Sequence, residues 1–176
     1  MKKAYFAGGC FWCTEAIFQM IKGVSKVTSG YAGGNIDSPS YEQVSTGSTG
    51  HTEAIEITYD PDAVDYSDLL YIFFKTHDPT TLDQQGADVG PQYRSAIFYT
   101  DDEQKTKAQK EKAKAQKDYK DSIVTEILPL KDFYEAEGYH QDYYNKNKNE
   151  SYCRVVIDPK IQKLKENYGK YIKKSS

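Results

Sequence analysis

The order of apolar patterns along the chain predicts an α+β fold of the ferredoxin-like (split βαβ) kind. This is a two-layer sandwich with a mainly antiparallel sheet, helices on one face, extended loops and a C-terminal extension. Two observations carry the prediction. Strand-like and helix-like periods alternate as strand, helix, strand, strand, helix, strand, helix, strand. The 176 residues also suffice for one core and are divided by no low-complexity linker, so residues 1–176 are expected to form a single domain.

Residues 2–7 read as a short strand, and 10–21 as a helix with Phe11, Ile17, Phe18 and Ile21 at helical spacing, ended by Lys22-Gly23. A second strand over 24–31 leads into a loop rich in Gly, Ser and Pro that ends at Tyr41. Residues 53–59 alternate with period two, as a half-buried strand does, until Asp60-Pro61 stops them. The stretch 66–76 is apolar at helical spacing, with Ser67 within reach as N-cap. Residues 77–92 hold two Pro, two Gly and almost no period, and an irregular loop of that length in a compact domain is usually functional.

A strand over 93–100 follows, then a helix over 101–121 with Asp101, Asp102 and Glu103 at its positive dipole end. A strand at 123–128, an irregular segment from 133 and a short helix near 140–144 come next. The polar stretch 145–155 is expected to be mobile, and a last helix over 159–174 sets Ile161, Leu164 and Tyr168 on one side.

A net charge of −3 with both signs interspersed gives no electrostatic reason to bind nucleic acid or a membrane surface. The lysines of 101–121 are mixed with acids and read as a solvated helix face. No stretch approaches the ~20 apolar residues of a membrane span, and the apolar start is cut by Gly8-Gly9 too early for a signal peptide. A cytoplasmic monomer is expected. Three cysteines are too few for a disulfide scaffold, and their odd number leaves at least one thiol free, which fits a reducing compartment. Sixteen tyrosines supply many hydrogen-bond donors that stay uncharged at neutral pH.

The stretch Gly8-Gly9-Cys10-Phe11-Trp12-Cys13 concentrates the chemistry. Two glycines permit a sharp turn, and Cys10 then stands at a helix start, where unpaired N–H groups and a second thiol three residues on lower a thiol pKa. Cys10 is therefore expected to be a nucleophilic thiolate. Three His accompany the three Cys, but without a second Cys-X-X-Cys or a paired His spacing no metal site is expected. On these residues alone a thioredoxin-like thiol-disulfide oxidoreductase using Cys10 and Cys13, or a non-enzymatic module that holds methionine in an aromatic pocket, are alternatives.

Gly9-Cys10-Phe11-Trp12 resembles the active-site signature of the peptide methionine sulfoxide reductases of the A type, and the resemblance continues along the chain. Gly30-Tyr31-Ala32-Gly33-Gly34, Pro39-Ser40-Tyr41, Thr49-Gly50-His51-Thr52-Glu53 and Thr76-His77-Asp78-Pro79-Thr80 are similar to that family. So are Gln85-Gly86-Ala87-Asp88-Val89-Gly90, Gln92-Tyr93-Arg94-Ser95 and Glu137-Gly138-Tyr139-His140-Gln141. The resemblance implies reduction of the S epimer of methionine sulfoxide, free or in oxidised proteins, to methionine through a cysteine sulfenic acid and an intramolecular disulfide. It implies no bound cofactor and thioredoxin, or dithiothreitol in vitro, as reductant.

Within that resemblance Cys10 is the nucleophile, Glu53 matches the catalytic acid, Tyr41 and Tyr93 match the phenols that donate to the sulfoxide oxygen, and Asp88 matches the acid that orients this cluster. Phe11 and Trp12 form the cage for the S-methyl group. Glu15, about one turn along the helix from Cys10, competes with Glu53. Such chemistry needs a protonated carboxyl, which persists near neutral pH only when desolvated or set beside another negative charge. Cys153 corresponds to a resolving cysteine in many family members, whereas Cys13 stands where the family commonly has Gly. Both remain open as the resolver. A mobile segment around Cys153 favours it, because a thiol in the same first turn as Cys10 must distort that turn to meet disulfide geometry.

Overall fold

Alternation in the first strand decides the layering. In β1 (Lys2–Gly8), Ala4 and Phe6 face one side of the sheet and Tyr5 and Ala7 the other. The computed structural model describes residues 1–174. After β1 come α1 (Phe11–Phe18), β2 (Val24–Ala32), α2 (Tyr41–Ser45), β3 (Thr52–Tyr59) and α3 (Tyr66–Thr76). A small hairpin of β4 (Gln84–Gln85) and β5 (Asp88–Val89) precedes β6 (Ser95–Tyr99), α4 (Asp102–Gln116), β7 (Glu126–Pro129) and β8 (Phe133–Glu135). The chain then forms a tight turn at Gly138–His140, α5 (Tyr143–Lys146), a π-helical turn at Cys153–Ile157 and α6 (Asp158–Asn167).

The architecture is α+β. Six strands run in the order β7-β6-β1-β3-β2-β8. β3 lies between β1 and β2, antiparallel to both, β6 and β8 add antiparallel pairs, and β7 joins β6 in parallel. The Phe6 side of the sheet carries the main core, to which α1, α3, α4 and α6 contribute. Phe6 itself sits among Phe18, Tyr66 and Phe73 at ring-centroid distances of 5.0 to 6.0 Å. The opposite side is lined by small residues, Ala7, Ala32, Ala54 and Ala96, beside Tyr5 and Phe98, and is closed by Leu128, Leu130 and Phe133. No described helix is long and apolar enough to cross a membrane.

Several boundaries differ from the sequence expectation for identifiable reasons. The N-cap of α3 is Asp65, not Ser67: its carboxylate accepts from the Ser67 N–H, and Asp68 reaches back to complete a capping box, a motif worth about 1 kcal/mol. α1 stops at Phe18 because the following residues pair with the chain's end, Ile21 bridging Ile172 and the Lys22 N–H donating to the Tyr171 carbonyl. α4 ends at Gln116, whose amide carbonyl accepts from the Ile123 N–H and so closes the next loop. α2 is an unforeseen helix, and Ser40 and Gln43 form its capping box.

Candidate active site

Cys10 stands where the sheet hands the chain to α1. Gly8 is still paired with Ser95 across β1 and β6, Gly9 turns the chain at φ +95°, and Cys10 is the N-cap, its carbonyl accepting from the Cys13 N–H at 3.1 Å. Only glycine takes that φ without strain. A free N–H at the start of α1 needs an acceptor, and Glu53 from β3 supplies it: the Phe11 N–H donates to Glu53 Oε1 at 3.1 Å. The carboxyl is 2% exposed, and burial, opposed by that N–H and reinforced by the charges of Asp88 and Cys13, pushes its pKa up to about 8. Glu53 is therefore mainly protonated at neutral pH.

Cys10 is 8% exposed, and burial, its hydrogen bond with Cys13 and the proximity of Glu53 raise its thiol well above the ordinary value. The expectation of a resting thiolate at Cys10 is corrected: burial outweighs the helix start. Its neighbour carries the charge more readily. Cys13 is pushed down to about 7, chiefly by the hydrogen bond from the Cys10 thiol, which outweighs burial, with help from Lys160 and Tyr152. The Tyr152 hydroxyl donates to Asp88 Oδ2 at 2.8 Å, and its oxygen lies 3.6 Å from Cys13 Sγ. Cys153, the next residue, is completely buried in the π-helical turn, and burial followed by the charge of Asp158 raises its thiol. All three cysteines are free.

Aromatic rings enclose this sulfur cluster. The Trp12 indole N–H donates to His140 Nδ1 at 3.0 Å, and its ring stacks on Tyr143 with centroids 3.7 Å apart and planes 7° from parallel. Because Nδ1 accepts, the neutral His140 ring carries its proton on Nε2, which is buried without a partner. Phe11 is fully buried against Tyr31 and His140. Tyr41 opens α2, and its N–H donates to Glu137 Oε2 at 2.9 Å, while the Tyr31 hydroxyl donates to Glu137 Oε1 at 2.9 Å. Tyr93 closes the Pro91–Tyr93 turn. Burial, then the charge of Glu53, raises the pKa of both Tyr41 and Tyr93, so both remain hydroxyl donors.

A buried carboxyl held in its acid form over a thiol at a helix start, ringed by phenols, suits oxygen abstraction from a weakly basic acceptor. Residues 2–172 match the family model described as peptide methionine sulfoxide reductase. A relative named peptide methionine sulfoxide reductase MsrA 1, from Rhodopirellula baltica, is 54% identical over 172 residues, covering 98% of this chain and 90% of its own. The chain belongs to the peptide methionine sulfoxide reductase family. Its structure is similar to that of Mxr1 from Saccharomyces cerevisiae in reduced form, with 37% identity, a TM-score of 0.80 and coverage of 86% and 88% of the two chains. Mxr1 in complex with Trx2 is also similar, with 26% identity, a TM-score of 0.57 and coverage of 81% and 84%.

As an A-type methionine sulfoxide reductase, the protein is an oxidoreductase that acts on methionine sulfoxide. Cys10, Cys13, Glu53 and Phe11 are in one another's direct surroundings, Tyr41 and Tyr93 face the same cluster, and Asp88 reaches it through Tyr152. Glu15 is 1% exposed, and burial lifts it to about 7 despite backbone donors at Asp142 and Tyr143. Its surroundings are α5, not the thiols. His51 and His77 are spent on structure, His51 accepting from the Gly34 N–H at 3.1 Å and His77 bonding the Phe73 carbonyl at 2.6 Å. Among the described residues no group of three or more His, Cys, Asp or Glu is arranged to hold a metal.

Tyr152, His140, Tyr143 and Glu137, to which the sequence alone gives no role, shape the site. The segment from Glu137 to Gln141 was a visible motif, and its residues touch from the far end of the chain what the N-terminal turn presents. Tyr152 carries no motif signal beyond standing next to Cys153.

Proposed function

We propose that Cys10 reduces methionine (S)-sulfoxide by direct attack on sulfur, with Glu53 as the acid, Tyr41 and Tyr93 as donors to the departing oxygen, Asp88 and its partner Tyr152 ordering the cluster, and Phe11 and Trp12 receiving the S-methyl group. The observation that carries this reading is the buried Glu53 carboxyl, held protonated and bonded to the first N–H of the helix that Cys10 caps. Glu53 passes its proton to the sulfoxide oxygen and regains the one that Cys10 loses as its sulfur bonds to the substrate. Oxygen ends on Cys10 as a sulfenic acid and methionine leaves. Atoms balance without a cofactor.

The place of Cys13 in the turn that Cys10 opens, its N–H bonded to the Cys10 carbonyl, and its readier ionisation support it as the first resolver, which expels water to give a Cys10–Cys13 disulfide. Exchange with Cys153, which is buried one residue from the Tyr152 contact to Cys13, then frees Cys10 and gives a Cys13–Cys153 disulfide. This order reverses the preference that the sequence suggested, and opening of the 145–155 segment is the step it requires. Thioredoxin is the proposed reductant, supported by the Mxr1 complex with Trx2. Free and protein-bound methionine sulfoxide are the proposed substrates, and repair of oxidised proteins in the cytoplasm, by a monomer of one domain, is the proposed role. The same reading assigns β6, β1, β3 and β2 to the split βαβ, ferredoxin-like arrangement, supported by β3 lying antiparallel between β1 and β2.

A pocket that fixes methyl, oxygen and attacking sulfur at three points discriminates hands. Incubation with each epimer and dithiothreitol, followed by chromatography, is expected to give methionine from the S epimer and little from the R epimer. Equal yields would sink the assignment.

A further inference from the structure

The Gly8-Gly9 turn in front of Cys10 has no side chains to hold it, and two residues from the segment after α3 close upon it. His77 is fixed by its Nδ1–H donating to the Phe73 carbonyl at 2.6 Å and its Nε2 accepting from Ser95 Oγ at 2.8 Å, with Thr125 Oγ1 a further 2.7 Å beyond. A Cβ built on Gly8 would lie 3.3 Å from His77 Cγ. Gln85 is tied at both ends of its amide to one residue: its carbonyl accepts from the Asp78 N–H at 2.9 Å, and its NH2 donates to the Asp78 carbonyl at 2.8 Å. So tethered, its stem lies over Gly9, where an added Cβ would come within 2.6 Å of Gln85 Cγ and 2.7 Å of Gln85 Cβ.

The same residue faces two ways. In the β4–β5 hairpin Gln85 is paired with Asp88, whose carboxylate receives the Tyr152 hydroxyl. On its far side Gln85 lines a cleft of about 330 Å³ together with His77, Asp78 and Lys160, and the three atoms nearest to a Cβ built on Gly9 all belong to Gln85.

We propose that Gln85 is a positioning residue for the reduction: by resting its tethered stem on Gly9 it fixes where the first turn of α1, and with it the Cys10 sulfur, stands relative to Glu53. The inference rests on the reading of Cys10 as nucleophile and Glu53 as acid. Gly9 at φ +95° belongs to the residue type with the most backbone freedom, and an unrestrained turn there moves the sulfur directly. Displacement of a reacting atom by about 1 Å can cost on the order of 10²-fold in rate.

The test uses the full chain and single turnover, measuring methionine released per enzyme without reductant. Gln85→Ala is expected to slow that step by about tenfold, while KM stays within about twofold and Tm within a few degrees of wild type. Gln85→Met keeps the two stem carbons over Gly9 and is expected to recover most of the rate. A single-turnover rate for Gln85→Ala equal to wild type, or a loss confined to Tm or KM, overturns the proposal, as does Gln85→Met being as slow as Gln85→Ala. Cys10→Ser is measured alongside. If it is inactive while Gln85→Ala matches wild type, only the positioning role falls; if it still turns over, the assignment of the nucleophile falls with it.

Discussion

Residues 8–15 and residues 137–153 meet at the same thiols, yet they are held there by different bonds. The first stretch continues a strand in the middle of the sheet and enters a helix whose N-terminus is capped by a carboxyl from the neighbouring strand, so ladder pairing and helix geometry fix it. The second has only a three-residue edge strand before it and short turns within it, and is attached by side chains. Glu137 takes the Tyr31 hydroxyl and the Tyr41 N–H, Gln141 bonds both the N–H and the carbonyl of Ser29, and Tyr152 holds Asp88. The sheet-anchored half suits a step that needs fixed geometry, the oxygen transfer. The side-chain-anchored half suits a step that needs a thiol to move, the disulfide relay.

That division is open to mutation. Glu53→Gln is expected to slow oxygen transfer by about 10²-fold or more, the worth of a positioned acid, while the Gln carbonyl still accepts from the Phe11 N–H. In the wild type the single-turnover rate should hold below pH about 8 and fall above it, as Glu53 loses its proton, and the variant should lose this limb. Stability carries the matching sign. A carboxyl raised from 4.5 to about 8 stays protonated in the native state while the unfolded chain ionises, so its contribution is complete below about 4.5 and is lost as pH rises towards 8. Glu53→Gln should therefore flatten the fall in Tm between those values. An unchanged single-turnover rate in the variant would remove Glu53 from the role of acid.

Tyr41→Phe and Tyr93→Phe are expected to cost less, about tenfold each in the same step, because one donor of a set is lost while the other remains. The double change should cost more than either alone. A double variant with wild-type single-turnover kinetics would reassign both rings to packing.

On the other side of the division, Tyr152→Phe removes the hydroxyl shared by Asp88 and Cys13. It should slow disulfide formation by about threefold to tenfold, the worth of one hydrogen bond, and slow oxygen transfer, where Tyr152 only helps order the cluster, by a smaller factor. Stopped reactions analysed for sulfenic acid and disulfide separate the two steps. Equal loss in both would erase the distinction between the halves.

The same contrast explains what was legible in the sequence. The strand expected over 53–59 announces itself by alternation, short apolar runs between turn residues mark those expected over 2–7 and 24–31, and a Gly-Gly-Cys turn before a helical pattern locates the nucleophile, because each depends on near neighbours. Motif resemblance supplied Glu53, Tyr41, Tyr93 and Asp88. The ionisation order of Cys10 and Cys13 was not readable, since it follows from the interaction of the two thiols, from their burial and, in lesser part, from Lys160 and from Tyr152, which is 139 residues away in sequence from Cys13. Nor were the contacts of Trp12 with His140 and Tyr143, which join side chains across the whole chain. The short helix α2 and the β4–β5 hairpin were missed on local grounds, although Ser40 and Gln43 have the spacing of a capping box.

In the proposed reaction Cys10 takes the oxygen. In a chain carrying Cys13→Ser and Cys153→Ser no thiol remains to resolve the product, so one equivalent of methionine (S)-sulfoxide with dimedone present, followed by digestion and mass spectrometry, reads the acceptor directly. The predicted result is about one methionine per enzyme and a dimedone adduct on Cys10. Methionine released without an adduct at Cys10, or with Cys10 recovered as a free thiol, would contradict it.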